Sequence, residues 1–308
     1  MNITIRNKTR ALLLLPLLVL LAGCNPADPG KFQTPEAAVQ AMYELIGQND
    51  DQAIEATFGP GSADLFHSGD DAADQEDVAR VKAMMEEQVA FEEFDENTRI
   101  ALFGEDSWPF PIPLVRDGDS WRFSIEDGRE ELLNRRIGRN ELWTLSVMHE
   151  IVDAQREYHA SGHDGNPPAF AARFLSSDGK QDGLYWPSDD EDNLSPLGDL
   201  LAESDATATD AQPFHGYFYR ILTRQGAGAP GGERQYLDDQ GLLTRGFAVV
   251  AWPAKYGNSG VMTFITNHRG LVWQKDLGED TETVAAAMET YDPDSSWSPT
   301  SDYMIETD

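Results

Sequence analysis

The chain has one cysteine, Cys24, among its 308 residues. A lone thiol excludes an internal disulfide framework and a cysteine-built metal site. Positive charge is also scarce: 23 Lys and Arg stand against 54 Asp and Glu, a formal net charge of −31. After Cys24 the lysines are Lys31, Lys82, Lys180, Lys255 and Lys275. Repulsion from such a surface rules out a broad nucleic-acid or anionic-lipid contact. An acid-rich, lysine-poor exterior suits a protein bathed in external salt, where screening lowers self-repulsion. Acidic runs such as Asp189 to Asp192 and Glu92 to Glu96 read as solvated faces or loops.

Long apolar runs are missing as well. The run from Ala11 to Leu21 is too short for a spanning helix, which needs roughly 20 residues. Complete catalytic motifs are lacking: there is no nucleophile elbow, phosphate loop or Rossmann glycine pattern. His149-Glu150 opens like a zinc-protease helix, but Asp153 stands where the second histidine belongs. Asp178-Gly179-Lys180-Gln181-Asp182-Gly183 opens like a calcium loop and reads as a turn. Lys180 would repel the ion, and the closing position is Asp189 rather than Glu. Gly226 to Gly232 lacks the Lys-Ser/Thr of a phosphate loop, and Gly257-Asn258-Ser259-Gly260 reads as a turn whose serine has no base. No catalytic residue, metal ligand or cofactor is assigned.

What is present begins at the N-terminus. Arg6, Lys8 and Arg10, the apolar run, and Leu21-Ala22-Gly23-Cys24 form a secretory signal ending in a lipoprotein cleavage box. Residues 1–23 are expected to be removed and Cys24 to carry the acyl chains, of which more than one makes a stable anchor. Losing three basic residues and no acidic one takes the charge from −31 to −34. Residues 24–31 read as a Pro- and Gly-containing tether. Asn25 rather than Asp follows the cysteine. By resemblance to Gram-negative lipoproteins, this implies lipid anchoring at the periplasmic face of the outer membrane.

The remainder reads as α+β in two parts, residues 32–126 and 127–298, with a frayed tail at 299–308. Thr34-Pro35-Glu36 opens a helix by capping, Asn49-Asp50-Asp51 opens a second, and a third is expected from Ala72 to Phe91. Strands follow at Thr98–Phe103, Trp108–Val115 and Ser120–Ile125. The alternating Pro109, Pro111 and Pro113 place the second at a sheet edge. The element order is similar to that of nuclear transport factor two. From Asp127 a long helix runs through Leu142, Leu145, Met148 and Ile151 to a stop at Ser161-Gly162. An irregular stretch, 163–213, includes a helix-like piece at Phe170–Leu175. Strands are then expected at Tyr217–Thr223, Gly246–Trp252, Val261–Thr266 and Leu271–Lys275, and a short helix at Thr281–Met288, before fraying after Trp297. A long helix before an antiparallel sheet is similar to type IV pilin and pseudopilin head domains.

Several strings carry a stronger likeness. They are Arg136-Ile137-Gly138-Arg139-Asn140-Glu141-Leu142, Asp153-Ala154-Gln155-Arg156-Glu157-Tyr158, Asp182-Gly183-Leu184-Tyr185-Trp186-Pro187 and His215-Gly216-Tyr217-Phe218-Tyr219-Arg220. Gly246 to Lys255, Gly260 to Phe264 and Gln274 to Gly278 complete the set. With these the chain resembles an uncharacterised bacterial lipoprotein family, domain-of-unknown-function family twenty-nine fifty. The resemblance implies an envelope location and no particular activity.

The remaining binding candidates are aromatic and polar residues beside turns: His215, Tyr185, Trp186, Trp252, Tyr256 and Lys255, with Arg220 nearby. Rings with a polar handle stack on sugars or anchor a protein partner. The expected role is a non-enzymatic, periplasm-facing binding or assembly protein with an envelope protein or glycan as partner. The alternative is an envelope hydrolase or glycan-active enzyme with its site in 163–213.

Overall fold

The computed structural model describes residues 30–48, 50–162, 168–188, 194–198 and 212–300. The signal segment, Cys24, most of the tether, the acidic run at 189–192 with Asp189, and residues 301–308 lie outside the described residues.

Capping residues set the first helices. α1 spans Pro35–Leu45, with the Thr34 side chain accepting from Ala37 N–H at 3.2 Å. α2 spans Asp51–Phe58, and Asp50 accepts from the N–H groups of Gln52 and Ala53. A one-turn helix, α3 (Ala63–Phe66), precedes α4 (Asp71–Glu87), which is capped by Asp70. α4 ends before Phe91, where the sequence pattern carried it. Val89–Glu93 instead forms β1, antiparallel to β2 (Thr98–Phe103). The reason lies in burial. Val78 and Val89 are 38% and 41% exposed and Met85 is the helix's buried residue, so extending the helix gains little. Pairing with β2 satisfies a row of backbone groups.

β3 (Trp108–Pro109) also pairs with β2, and β4 (Leu114–Asp117) forms a hairpin with β5 (Ser120–Phe123). The expected strand from Trp108 to Val115 is therefore interrupted: Pro111 and Pro113 lie between β3 and β4, where no ladder needs their missing N–H. A first hydrophobic cluster joins α1, α2 and this sheet through Met42, Phe58, Phe103, Phe110 and Phe123.

α5 runs unbroken through Gly138 from Ile125 to Ser161 and stops at Gly162, whose φ is +63°. Its 37 residues give a rod of about 55 Å. Ile125 and Leu132 pack on the first cluster, while Val147, Met148, Ile151 and Val152 belong to a second. That cluster fills one side of an antiparallel sheet ordered β13-β11-β10-β9-β6. Its strands are β6 (Tyr217–Leu222), β9 (Ala248–Pro253), β10 (Met262–Asn267), β11 (Trp273–Asp276) and β13 (Ser298–Pro299). β9, buried along its whole length, sits between β6 and β10. A smaller sheet joins β7 (Arg224–Gln225), β8 (Arg234–Gln235) and β12 (Thr290–Tyr291). α6 spans Thr281–Ala286.

Two expectations are corrected here. Phe170–Leu175 is extended: Phe170 bridges Leu243 and Leu175 bridges Tyr185. The Gln155 amide explains this, donating to Ala171 C=O and accepting from Ala171 N–H, both at 2.8 Å. A side chain thus acts as a strand neighbour and holds the segment open. The chain is also ordered past Trp297, because β13 pairs with β11 and Thr300 N–H donates to Val272 C=O at 3.1 Å. The fold is α+β, with a helix-and-sheet region followed by a long helix and a second sheet.

Candidate functional site

Between residues 136 and 144, α5 is turned inside out. Arg136, Asn140 and Thr144 point inward and are buried, whereas Leu142 and Trp143 are 68% and 43% exposed. Positions i, i+4 and i+8 share one helix face, so an amphipathic helix would place apolar residues there. Each inward polar group has a partner. Arg136 donates to Asn258 Oδ1, and Asn140 Nδ2 donates to Ser259 C=O at 2.9 Å. Thr144 Oγ1 donates to Asn140 C=O and receives the Tyr219 hydroxyl. The neighbouring Glu141 accepts from the N–H groups of Val261 and Met262 at 3.0 and 2.9 Å.

The turn at Asn258 reaches the first part of the chain. Its Nδ2 donates to the carbonyls of Asp64 and His67, both at 3.2 Å. The buried Asp70 closes the other side, accepting from Gly216 N–H at 2.6 Å and from Ala73 N–H at 3.1 Å. Asp74, held by Ser68 N–H at 2.9 Å, has its pKa raised by burial, against the pull of Ser68 and Arg136. Arg136 has its pKa lowered by burial, while Asp74 and Asp77 oppose that. Arg139 pairs with Asp77 at 2.5 Å, a further tie between α5 and α4. Two glycines make the approach feasible. A Cβ on Gly216 would stand 2.5 Å from Asn140 Nδ2, and one on Gly260 would stand 2.1 Å from the Tyr217 hydroxyl.

Above this seam His215 has a φ of +50°, a conformation L residues seldom adopt. Its ring stacks on Trp143, with centroids 4.6 Å apart and planes at 17°, and touches Phe214 at 4.2 Å. Leu142, Trp143 and His215 thereby form an outward apolar and aromatic patch over a buried, hydrogen-bonded polar base.

The other residues singled out from sequence scatter. Trp186 and Trp252 are buried in the second cluster. Arg220 stacks on Trp252 and donates to the carbonyls of Ala285, Ala286 and Met288, closing the end of α6. Tyr185 is half-buried and pairs through its backbone with Phe174 and Ser176. Tyr256 donates to Asp276 at 3.1 Å. Lys255 is exposed, and its backbone closes the turn with Ser259. Because Gly216 C=O accepts from Ala254 N–H, His215 and Lys255 share one end of the sheet; Tyr185 and Trp186 belong to a separate loop. Ser259 is fully buried, its hydroxyl committed to the Lys255 backbone at 2.9 and 3.2 Å.

Trp143, Asp70 and Arg136 escaped sequence reasoning. Leu142 was expected on the core stripe of α5, and it faces out. The available signal was polar Arg136, Asn140 and Thr144 at four-residue spacing. His149 and Glu150 are exposed, and Asp153 pairs with Arg156 at 2.8 Å. Among the described residues no group of three or more His, Cys, Asp or Glu is arranged to hold a metal.

Residues 30–300 match the model of a protein family described as of unknown function, DUF2950. The chain belongs to that family. No curated protein and no solved structure matches it.

Proposed function

We propose that the protein is a cell-envelope lipoprotein, acylated on Cys24 and held at the periplasmic face of the outer membrane, that binds an envelope protein without catalysis. The leader and the Leu21-Ala22-Gly23-Cys24 box support the anchor. One observation carries the binding role: the exposed Leu142 and Trp143, with Trp143 stacked on a left-handed His215. Backbone strain of this kind costs of order 1–3 kcal/mol and persists where the surroundings impose it, often at functional positions. Trp is an effective interface anchor because it brings large area with few rotatable bonds. With the leader's three basic residues gone, the charge of −31 becomes −34, so the rest of the surface disfavours acidic partners and the patch suits an apolar or basic one.

The test has two arms. Palmitate labelling and membrane fractionation of Cys24→Ala should both be lost; retention of both rejects the anchor. A photo-crosslinking residue at position 142 should capture one envelope protein, and Trp143→Ala should abolish that capture while near-ultraviolet circular dichroism retains a folded signature. Capture that is unchanged in Trp143→Ala, or of glycan alone, rejects the reading.

A further inference from the structure

Strand β6 borders that patch. The Tyr219 hydroxyl on β6 donates to Thr144 on α5 at 3.3 Å, next to Trp143, and the turn His215-Gly216 leads into the strand. β6 is also an edge of the second sheet, with β9 on one side only.

Antiparallel neighbours bond through alternate residues. Gly216 C=O accepts from Ala254 N–H at 2.9 Å, so Gly216, Phe218, Arg220 and Leu222 turn their backbone groups to β9. Tyr217 lies opposite Pro253, which has no N–H to offer, and turns the other way. There it exchanges bonds of 2.7 and 3.1 Å with Phe214. Tyr219 and Ile221 turn outward like Tyr217. Among the described residues nothing bonds to the N–H or C=O of either. The next outward group, Thr223 C=O, is taken by Tyr236 N–H at 2.9 Å. Four main-chain groups are thus left open in a gap framed at both ends.

The other edges of the two larger sheets are bridged or guarded. Phe32 exchanges bonds of 2.8 and 2.7 Å with Trp121 on β5. β1 carries the exposed Glu92 and Glu93, while β3 and β13 carry Pro109 and Pro299. Edge charges and prolines of this kind keep foreign strands away. β6 is Tyr217-Phe218-Tyr219-Arg220-Ile221-Leu222. Its one charge, Arg220, is tied to the carbonyls at the end of α6.

We infer that β6 takes an added strand from the partner proposed above: an extended segment without acidic residues, seated along Tyr219 to Ile221. This rests on the Leu142–Trp143 patch being a docking surface. Main-chain bonds to the open groups give affinity, and alternate side chains give specificity. Those alternate side chains fall on the α5 side, where Leu142 and Trp143 offer apolar contact. The acidic surroundings turn acidic segments away.

Hydrogen exchange of the full chain is the first test. The amides of Tyr219 and Ile221 should exchange about tenfold faster than those of Phe218, Arg220 and Leu222. Protection of both in the free protein shows that the edge is already filled and overturns the inference. Photo-crosslinking residues at position 142, in the patch, and position 218, on the edge, are then exposed to envelope extract. Both should capture the same protein, and its binding should slow exchange at Tyr219 and Ile221. Ile221→Pro deletes an outward N–H and spares the bonds to β9. Capture at position 142 should then fall about tenfold, since a partner carbonyl is left unpaired; Ile221→Ala keeps the N–H and should capture as the parent does. Capture at position 142 that Ile221→Pro leaves intact retains the patch and overturns strand addition. Capture at position 218 alone, lost in Ile221→Pro, supports strand addition and rejects the patch; capture at neither position rejects both. Should Ile221→Pro fail to fold by near-ultraviolet circular dichroism, exchange in the captured complex decides: unslowed amides at Tyr219 and Ile221 overturn the inference.

Discussion

The carboxylate of Asp70 accepts the backbone N–H of Gly216 at 2.6 Å while its other oxygen caps α4 at Ala73, 3.1 Å away. One buried side chain thus starts a helix in the first half of the chain and ties it to the loop that presents His215 in the second. Its neighbour Gly69, at φ +92°, lies against Ala254 and Lys255, so the seam is tight on both sides.

Asp70→Ala removes a cap and a charge-assisted hydrogen bond at once. We expect a loss of about 2–4 kcal/mol, with Asp70→Asn losing less because one acceptor oxygen remains. Urea unfolding followed by tryptophan fluorescence measures it. Equal stability of the alanine variant and the parent would show that the seam is not coupled to folding.

Glycine substitutions should divide by environment. Gly260→Ala drives a Cβ to 2.1 Å from the Tyr217 hydroxyl, which is already held by Met262 C=O at 3.0 Å. Overpacking of this kind costs about 1–3 kcal/mol or more. Gly138→Ala, in mid-helix with nothing within 4 Å, should stabilise by up to about 1 kcal/mol. Thermal melts of the two variants should move in opposite directions.

His268 predicts a pH dependence. Its folded pKa lies below the ordinary 6.5, chiefly through burial and then through the nearby arginines. Between the two values the unfolded chain binds more protons, so stability rises with pH there. The contribution is complete above about 6.5 and is lost as pH falls toward the folded pKa. His268→Gln should flatten the chemical-denaturation midpoint across that window; an unaltered slope assigns the dependence to other groups.

Gln155 holds residues 170–175 as a pseudo-strand through paired 2.8 Å bonds to Ala171. Gln155→Leu leaves the Ala171 N–H and C=O buried and unpaired, at about 1–3 kcal/mol each. Hydrogen exchange should accelerate first at Ala171 and Phe170. Protection retained at Ala171 would contradict that role.

Local chemistry explains what was legible beforehand. Caps at Thr34 and Asp50, the β2 strand at Thr98–Phe103, the β10–β11 hairpin around Asn267–Gly270 and the end of α5 at Gly162 all follow from nearest neighbours in sequence. The family strings were legible as unusual words, and the structure gives several of them a task. Arg136, Asn140 and Glu141 grip residues 258–262, Gln155 bridges Ala171, and Gly183 lets Leu175 approach.

The sequence by itself determined the acidic balance, the α+β class and most helix starts. These depend on composition, capping and periodicity within a few residues. Tertiary structure decided where α4 yields to β1, that Leu142 and Trp143 face outward, and that Trp186 and Trp252 are core. Those outcomes turn on partners more than a hundred residues away: Arg136 and Asn258 are 122 apart, and Asp70 and Gly216 are 146 apart. A helical pattern reports which residues share a face; only the packed neighbour, polar or apolar, decides which face turns inward.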